Sequence, residues 1–134
     1  MSLVEKDLIR RLIQDLAKFF ARLAGLRAAG ELDQAERELS EMMRQALGPW
    51  SRDAEYLAVE SLMKMLSRER LELYARLLIE RGALAEARGQ PERARRDQER
   101  ARSLLDALAR AGGATEAPNG VGLGPGTAGG KLDR

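Results

Sequence analysis

The chain has 134 residues, no cysteine, no histidine and a formal net charge of +2 at pH 7. These absences exclude disulfides, thiolate nucleophiles, zinc sites of the ordinary kind and histidine acid–base catalysis. Apolar residues make up 44% of the chain, but the β-branched residues are only three Val, three Ile and two Thr. Because a sheet would need more of them, we predict an all-α fold.

Glycine and proline divide the chain into five predicted helices. The apolar spacing predicts helices over about 4–28, 32–47, 52–66, 68–88 and 91–111. Gly30 supplies a left-handed residue that ends the first helix, and Gly48-Pro49 ends the second, because proline cannot continue the hydrogen-bond ladder. Ser67 is the predicted N-cap of the fourth helix, and Pro91 suits the first position of the fifth.

The composition changes abruptly at Gly112. Residues 112–134 are rich in Gly and contain few large apolar side chains, so this segment buries too little surface to offset its ordering entropy. We therefore predict a helical domain over 1–111 and a flexible Gly-rich tail over 112–134.

The stretch from Tyr74 to Asp106 resembles a degenerate tetratricopeptide repeat. Small residues match the positions where the two helices of that repeat pack closely, namely Gly82, Gly89, Ala94 and Ala101. Leu78 falls where the family has a large residue. The departures are Arg81, Ala85, Gln98 and Asp106, in place of Leu, Tyr, an aromatic residue and Pro.

A second segment, Gly30 to Ala35, resembles the inter-helix turn of the same repeat. Gly30 and Gly89 lie 59 positions apart, so the two hairpins are not in simple register with a repeat of about 34 residues. The overall layout is similar to a small family of uncharacterised bacterial helical proteins. The resemblance implies antiparallel hairpins in a tetratricopeptide-like bundle or short solenoid, implies a binding role, and carries over no catalytic residue.

The predicted fifth helix is rich in arginine. Arg93, Arg96 and Arg100 share one helical face, a spacing that suits contact with a phosphate backbone. However, the pairs Glu92–Arg96 and Arg93–Asp97 would partly neutralise this face. No aromatic residue is interleaved to stack on bases, so an ordinary solvated face is the favoured interpretation.

Four of the five aromatic residues are candidate interface residues, although side chains of this kind more often fill a core. They are Phe19, Phe20, Trp50 and Tyr56. Neighbours on a helix point about 100° apart, so Phe19 and Phe20 cannot both face one core direction. One of them is therefore predicted to lie at a dimer interface or in a partner groove.

The favoured function is a non-enzymatic protein–protein interaction or scaffold module, without catalytic residues, metal or cofactor. The predicted partner is another protein, or a second copy of the chain in a homodimer through the first helix. The alternative is a nucleic-acid-associated protein that uses Arg93, Arg96 and Arg100. No window of about 18 apolar residues predicts a membrane span. The expected location is cytoplasmic.

Overall fold

The computed structural model describes residues 3–116. Within this range the regular secondary structure is entirely helical, which confirms the all-α prediction, and it comprises six α-helices rather than five. They are α1 (Leu3–Gln14), α2 (Leu16–Ala28), α3 (Leu32–Leu47), α4 (Val59–Met65), α5 (Arg68–Ala87) and α6 (Pro91–Glu116). The predicted tail over 117–134 lies outside the described residues.

Helix α5 forms the centre of the fold. Its buried residues extend around more than half of the helix circumference, since Leu73 and Ala75, about 200° apart, are both fully buried. Helix α6 packs along one side of α5, α3 packs along another, and α1 and α2 make smaller contacts with it. A helix that is apolar over so wide an arc is stable only when neighbours cover it.

Two tight turns join the helices of the main hairpins. Gly30 ends α2 with a φ of 77°, and Gly89 follows α5 with a φ of 75°. In the second turn, the N–H of Gln90 donates to the carbonyl of Ala85 at 2.9 Å, and the N–H of Gly89 donates to Glu86. This is the Schellman pattern, which only a left-handed residue completes readily. The predicted stop at Gly30 is confirmed.

Helices α5 and α6 approach closely at Gly82. A Cβ added there would lie 3.3 Å from the carbonyl oxygen of Ala94 and 3.3 Å from Cγ of Gln98. Ala94 and Ala101 are both buried along the same contact. Small side chains therefore set the distance between the two helices.

The buried Arg70 fastens three helices together. Its guanidinium donates to the carbonyl of Ala46 at 3.2 Å, near the end of α3, and to the Glu5 carboxylate of α1 at 3.2 Å. It thus satisfies a carbonyl that the end of α3 leaves without a helical donor. At the start of α5, the Ser67 side chain accepts from the N–H of Arg70, so the predicted N-cap is confirmed.

The predicted first helix over 4–28 is two helices. Asp15 interrupts it with φ −95° and ψ 1°, outside the regular α range. Its N–H is shared between the carbonyls of Arg11 and Leu12, at 3.1 and 3.2 Å. The break occurs without a glycine or proline, at an Asp, which is a residue of low helix propensity.

The predicted third helix over 52–66 is wrong in its first half. A 3₁₀ turn at Gly48–Trp50 precedes this range, a second one at Ala54–Tyr56 lies within it, and α4 begins only at Val59. Leu57 is extended, with φ −94° and ψ 144°. The non-helical segment is stabilised by a long-range contact, because Arg100 of α6 donates to the carbonyl oxygens of Ala54 and Leu57, and Ala54 also accepts from the N–H of Leu57.

The last described helix is longer than the predicted 91–111. Helix α6 continues through Gly112 to Glu116, so the boundary predicted at Gly112 is wrong for residues 112–116. Arg68 of α5 supports this extension, since its guanidinium lies against Gly112 and donates to the carbonyl of Leu108 at 3.0 Å. Composition alone did not indicate this contact.

Candidate functional site

A pocket of about 320 Å³ opens where α3, α5, the start of α6 and the 3₁₀ turns meet. We call it the arginine groove. Its floor is apolar and consists of the buried residues Leu39 and Met43 of α3 with Leu84 and Ala85 of α5. Ser40, Ser51 and Gln90 add small hydrogen-bonding groups.

Charged residues surround this floor. Five of them are arginines and two are glutamates, which leaves a positive surplus among the lining residues: Arg44, Arg52, Arg81, Arg88, Arg93, Glu36 and Glu55. The arginines come from α3, the 3₁₀ turns, α5 and α6. Four separate segments of the sequence therefore build one rim.

Arg81 is the most firmly held of these arginines. Its guanidinium forms a fork with the buried Asp97 of α6, at 2.9 and 3.0 Å, and also donates to Glu55 at 3.0 Å. Burial lowers the pKa of Arg81, but the hydrogen bonding to Asp97 and the charges of Asp97 and Glu55 outweigh it, so the pKa lies above its usual value. The hydrogen bonds of Arg81 with Asp97 and Glu55 thus join α5, α6 and the second 3₁₀ turn at the edge of the groove.

Arg88 links α5 to α3 at the other end of the groove. It donates to Asp33 at 2.6 Å, and its Nε lies 2.9 Å from Glu36 in an ion-pair contact, so the C-terminal end of α5 is tied to α3. The hydrogen bond from Arg88 lowers the pKa of Asp33. Both ends of the groove are thus fixed by pairs between helices.

Two rim arginines have no hydrogen-bonded or ion-paired partner among the described residues. The guanidinium groups of Arg52 and Arg93 are exposed and form no hydrogen bond or ion pair within residues 3–116. Within the described part of the chain, Arg44 pairs with Glu41 alone, three residues earlier on the same exposed surface of α3. Arg52 and Arg93 are therefore the charges that the groove offers to a ligand.

The three arginines predicted to share one face have different roles. Arg93 lies on the groove rim, and Arg96 is exposed. Arg100 turns inward, where it binds Ala54 and Leu57 and lies 5.9 Å from the centre of the Tyr74 ring. These side chains do not form a continuous exposed row.

The i,i+4 pair predicted between Arg93 and Asp97 is replaced by a contact between helices. Both carboxylate oxygens of Asp97 accept from Arg81 of α5 instead. Because Asp97 is bonded to Arg81, it does not pair with Arg93, and the Arg93 guanidinium lies exposed on the rim. Arg95 and Glu92 form a loose exposed pair at 3.8 Å.

The predicted interface aromatics also divide into two groups. Phe19, Phe20 and Trp50 are partly buried against the core, whereas Tyr56 is 82% exposed. The rings of Phe19 and Phe20 lie 6.1 Å apart and are tilted by 48°. Phe19 also lines a more open depression with Met42 and the polar side chains of α3.

Sequence reasoning missed most of the groove. Arg52, Arg81 and Arg88 were not proposed as site residues, and only Arg93 was. One signal was present, because Arg81 stands where the resemblance to a tetratricopeptide repeat would place Leu. A charged residue at such a position indicates a partner or a ligand.

Among residues 3–116, no group of three or more carboxylates is placed to hold a metal ion. None of the helices described is both long enough and apolar enough to cross a membrane. Comparisons with protein-family models, curated proteins and solved structures find no match to this chain.

Proposed function

We propose that this chain is a non-enzymatic protein-interaction module that binds a partner in the arginine groove. The observation that carries the proposal is the combination of an apolar floor with two uncommitted arginines on its rim. An apolar pocket with a few fixed polar groups is the usual form of a binding site. Arginine is also enriched at the centres of protein interfaces.

The chemistry of the lining supports binding rather than catalysis. Arginine stays protonated near neutral pH and cannot accept a proton from a substrate. The two glutamates of the rim, Glu36 and Glu55, are both paired with arginines. The groove therefore presents charge and apolar surface, without an activated nucleophile beside a base.

The helical scaffold suits this role because it fixes the groove from several directions. The pairs Arg81–Asp97 and Arg88–Asp33 join the helices that form its walls. The close α5–α6 contact at Gly82 supports the further proposal that the hairpins are tetratricopeptide-like, a class whose stacked repeats form extended concave binding surfaces.

A substitution that fills the groove tests the proposal. Ser40 is an exposed residue on α3 that lines the groove, so Ser40→Trp places an indole over the floor without changing the core. Ala109→Trp is the matched control, because Ala109 is exposed on α6 outside the groove. Circular dichroism confirms that both variants remain helical.

The assay is affinity capture from nuclease-treated lysate of the source organism, quantified by mass spectrometry. We expect proteins that are retained by the wild type and Ala109→Trp but lost from Ser40→Trp. Equal recovery from all three proteins would contradict docking in the groove. Recovery seen only in a parallel capture from lysate without nuclease would instead favour the alternative function, which stays a prediction for Arg93, Arg96 and Arg100.

A homodimer is proposed as a second mode of association, through α2. Phe19 and Phe20 are only half-buried, and Phe19 borders the open depression beside Met42. A second copy would cover this remaining apolar surface, which water otherwise contacts. The residues that line this depression are different from those that line the arginine groove, so substitutions can test the two modes separately.

A further inference from the structure

We infer that the partner segment that enters the arginine groove is an acidic peptide with an apolar anchor side chain. This inference rests on the proposed function of the groove and adds the chemistry of its ligand. The anchor contacts the floor at Met43 and Leu84, and flanking carboxylates pair with Arg52 and Arg93.

Charge complementarity selects an acidic ligand. Three rim arginines already have carboxylate partners within the fold, namely Arg44, Arg81 and Arg88. Arg52 and Arg93 form no such pair within residues 3–116, so each is open to a ligand carboxylate, which a neutral or basic ligand does not supply. A carboxylate meets the planar guanidinium with two parallel hydrogen bonds, which adds direction as well as energy.

The floor selects an apolar anchor beside those carboxylates. Leu39, Met43, Leu84 and Ala85 are buried by the fold yet border the pocket. The volume of about 320 Å³ lies at the lower end of the range for ligand pockets, about 300–1,000 Å³, so it suits a side chain with a short stretch of backbone. Met43 is flexible and adapts to anchors of different shape.

The polar groups of the groove fit a peptide backbone. Ser40 and Ser51 offer hydroxyls, and Gln90 offers an amide that both donates and accepts. Main-chain N–H and C=O groups need such partners when they leave water. The groove thus matches the three parts of an extended or helical peptide: backbone, apolar anchor and acidic side chains.

The same lining disfavours a nucleic acid. Among the described residues that line the groove, none is aromatic, so a base finds no ring to stack on. Glu36 and Glu55 would repel phosphates on the rim. Arg100, the third member of the predicted phosphate-binding face, is committed to backbone carbonyls of the 3₁₀ segment.

Peptide selection tests the inference directly. A random peptide library displayed on phage is selected on the full chain, after depletion on Ser40→Trp to remove peptides that bind elsewhere. We expect enriched sequences that place Asp or Glu beside a large apolar residue. The selected peptide then serves as the probe for affinity measurements by fluorescence anisotropy.

Arginine variants distinguish ion pairing at the groove from nonspecific binding of the peptide. Each exposed ion pair should contribute a factor of roughly two to five to the affinity. We therefore expect the double variant Arg52→Gln/Arg93→Gln, which removes both pairs, to raise the Kd of that peptide about tenfold. The control Arg102→Gln/Arg110→Gln removes the same charge from exposed positions of α6 outside the groove, and a change below about twofold is expected. Binding should also weaken as salt is raised.

The contrary outcomes fall into two classes. Enrichment of apolar or basic peptides without acids, or equal affinity in both double variants, overturns the acidic ligand but leaves docking in the groove intact. Failure to enrich any peptide after depletion overturns the proposed function as well. Tighter binding of a short single-stranded DNA, lost in Arg52→Gln/Arg93→Gln, would assign the groove to nucleic acid and overturn both.

Discussion

The pair between Arg81 and Asp97 is predicted to be the strongest single polar contact at the groove, and Asp97→Asn tests it. Asp97 is 4% exposed, and both of its oxygens accept from Arg81. Hydrogen bonds to charged groups contribute about 1.5–3 kcal/mol each. Because Arg81 is 23% exposed and keeps Glu55 as a partner, we expect a total loss of about 2–3 kcal/mol in the free energy of unfolding.

Urea denaturation followed by far-UV circular dichroism measures this loss, with the fluorescence of Trp50 as a second probe. The matched control is Glu92→Gln, which breaks an exposed pair 3.8 Å from Arg95 and should change the free energy of unfolding by less than about 0.5 kcal/mol. A double-mutant cycle with Arg81→Gln should give a coupling energy of at least about 1 kcal/mol. If Asp97→Asn is no more destabilising than Glu92→Gln, the fork does not anchor the groove.

Three further predictions concern other parts of the fold. The hydrogen bonds from Arg22 and Gln34 lower the pKa of Glu38 from 4.5 to about 2, so the stabilisation is complete above pH 4.5 and is lost as the pH falls towards 2. The gap in the free energy of unfolding between the wild type and Arg22→Gln should therefore narrow over that range, and a gap independent of pH would refute the pairing. Gly48→Ala should destabilise the protein by about 2 kcal/mol in thermal unfolding, because φ is 59° and the added Cβ would lie 2.9 Å from a buried arginine. The control Gly25→Ala, at an exposed helical position, should stabilise the protein by about 0.5–1 kcal/mol. If both variants shift the stability in the same direction, the positive φ and the close contact at Gly48 do not determine the effect. Phe19→Asp should halve the mass measured by light scattering if α2 forms a dimer, and a folded variant of unchanged mass would exclude that interface.

The sequence predicts the helices well where local chemistry decides their ends. Glycine supplies a positive φ at Gly30 and Gly89, proline opens α6 at Pro91, and the hydroxyl of Ser67 caps α5. Each of these signals acts within a few residues along the chain. Such features need no knowledge of the tertiary structure.

The sequence predicts poorly where a distant side chain decides. The 3₁₀ segment has apolar spacing compatible with a helix, but Arg100, more than 40 residues away, binds its carbonyl groups. Arg68 likewise supports α6 beyond Gly112. In both cases a long-range arginine contact overrides local propensity.

The groove escaped prediction for the same reason. Its lining comes from α3, the 3₁₀ segment, α5 and the start of α6, so no local motif contains it. The exposed state of Arg93 also depends on Asp97 bonding across to Arg81 rather than along its own helix. In the sequence, this region is marked by Arg93 of the arginine-rich fifth helix and by Arg81, which stands where the resembled repeat has Leu.

Photocrosslinking from inside the groove tests the central claim most directly. The photoreactive residue p-benzoylphenylalanine is introduced at Ser40, on the groove, and at Ala109, on the exposed surface of α6. Docking in the groove predicts a discrete protein crosslink from position 40 that survives nuclease and is absent from position 109. Identical crosslinks from both positions, or none from position 40 in lysate where the wild type captures a partner, would contradict it.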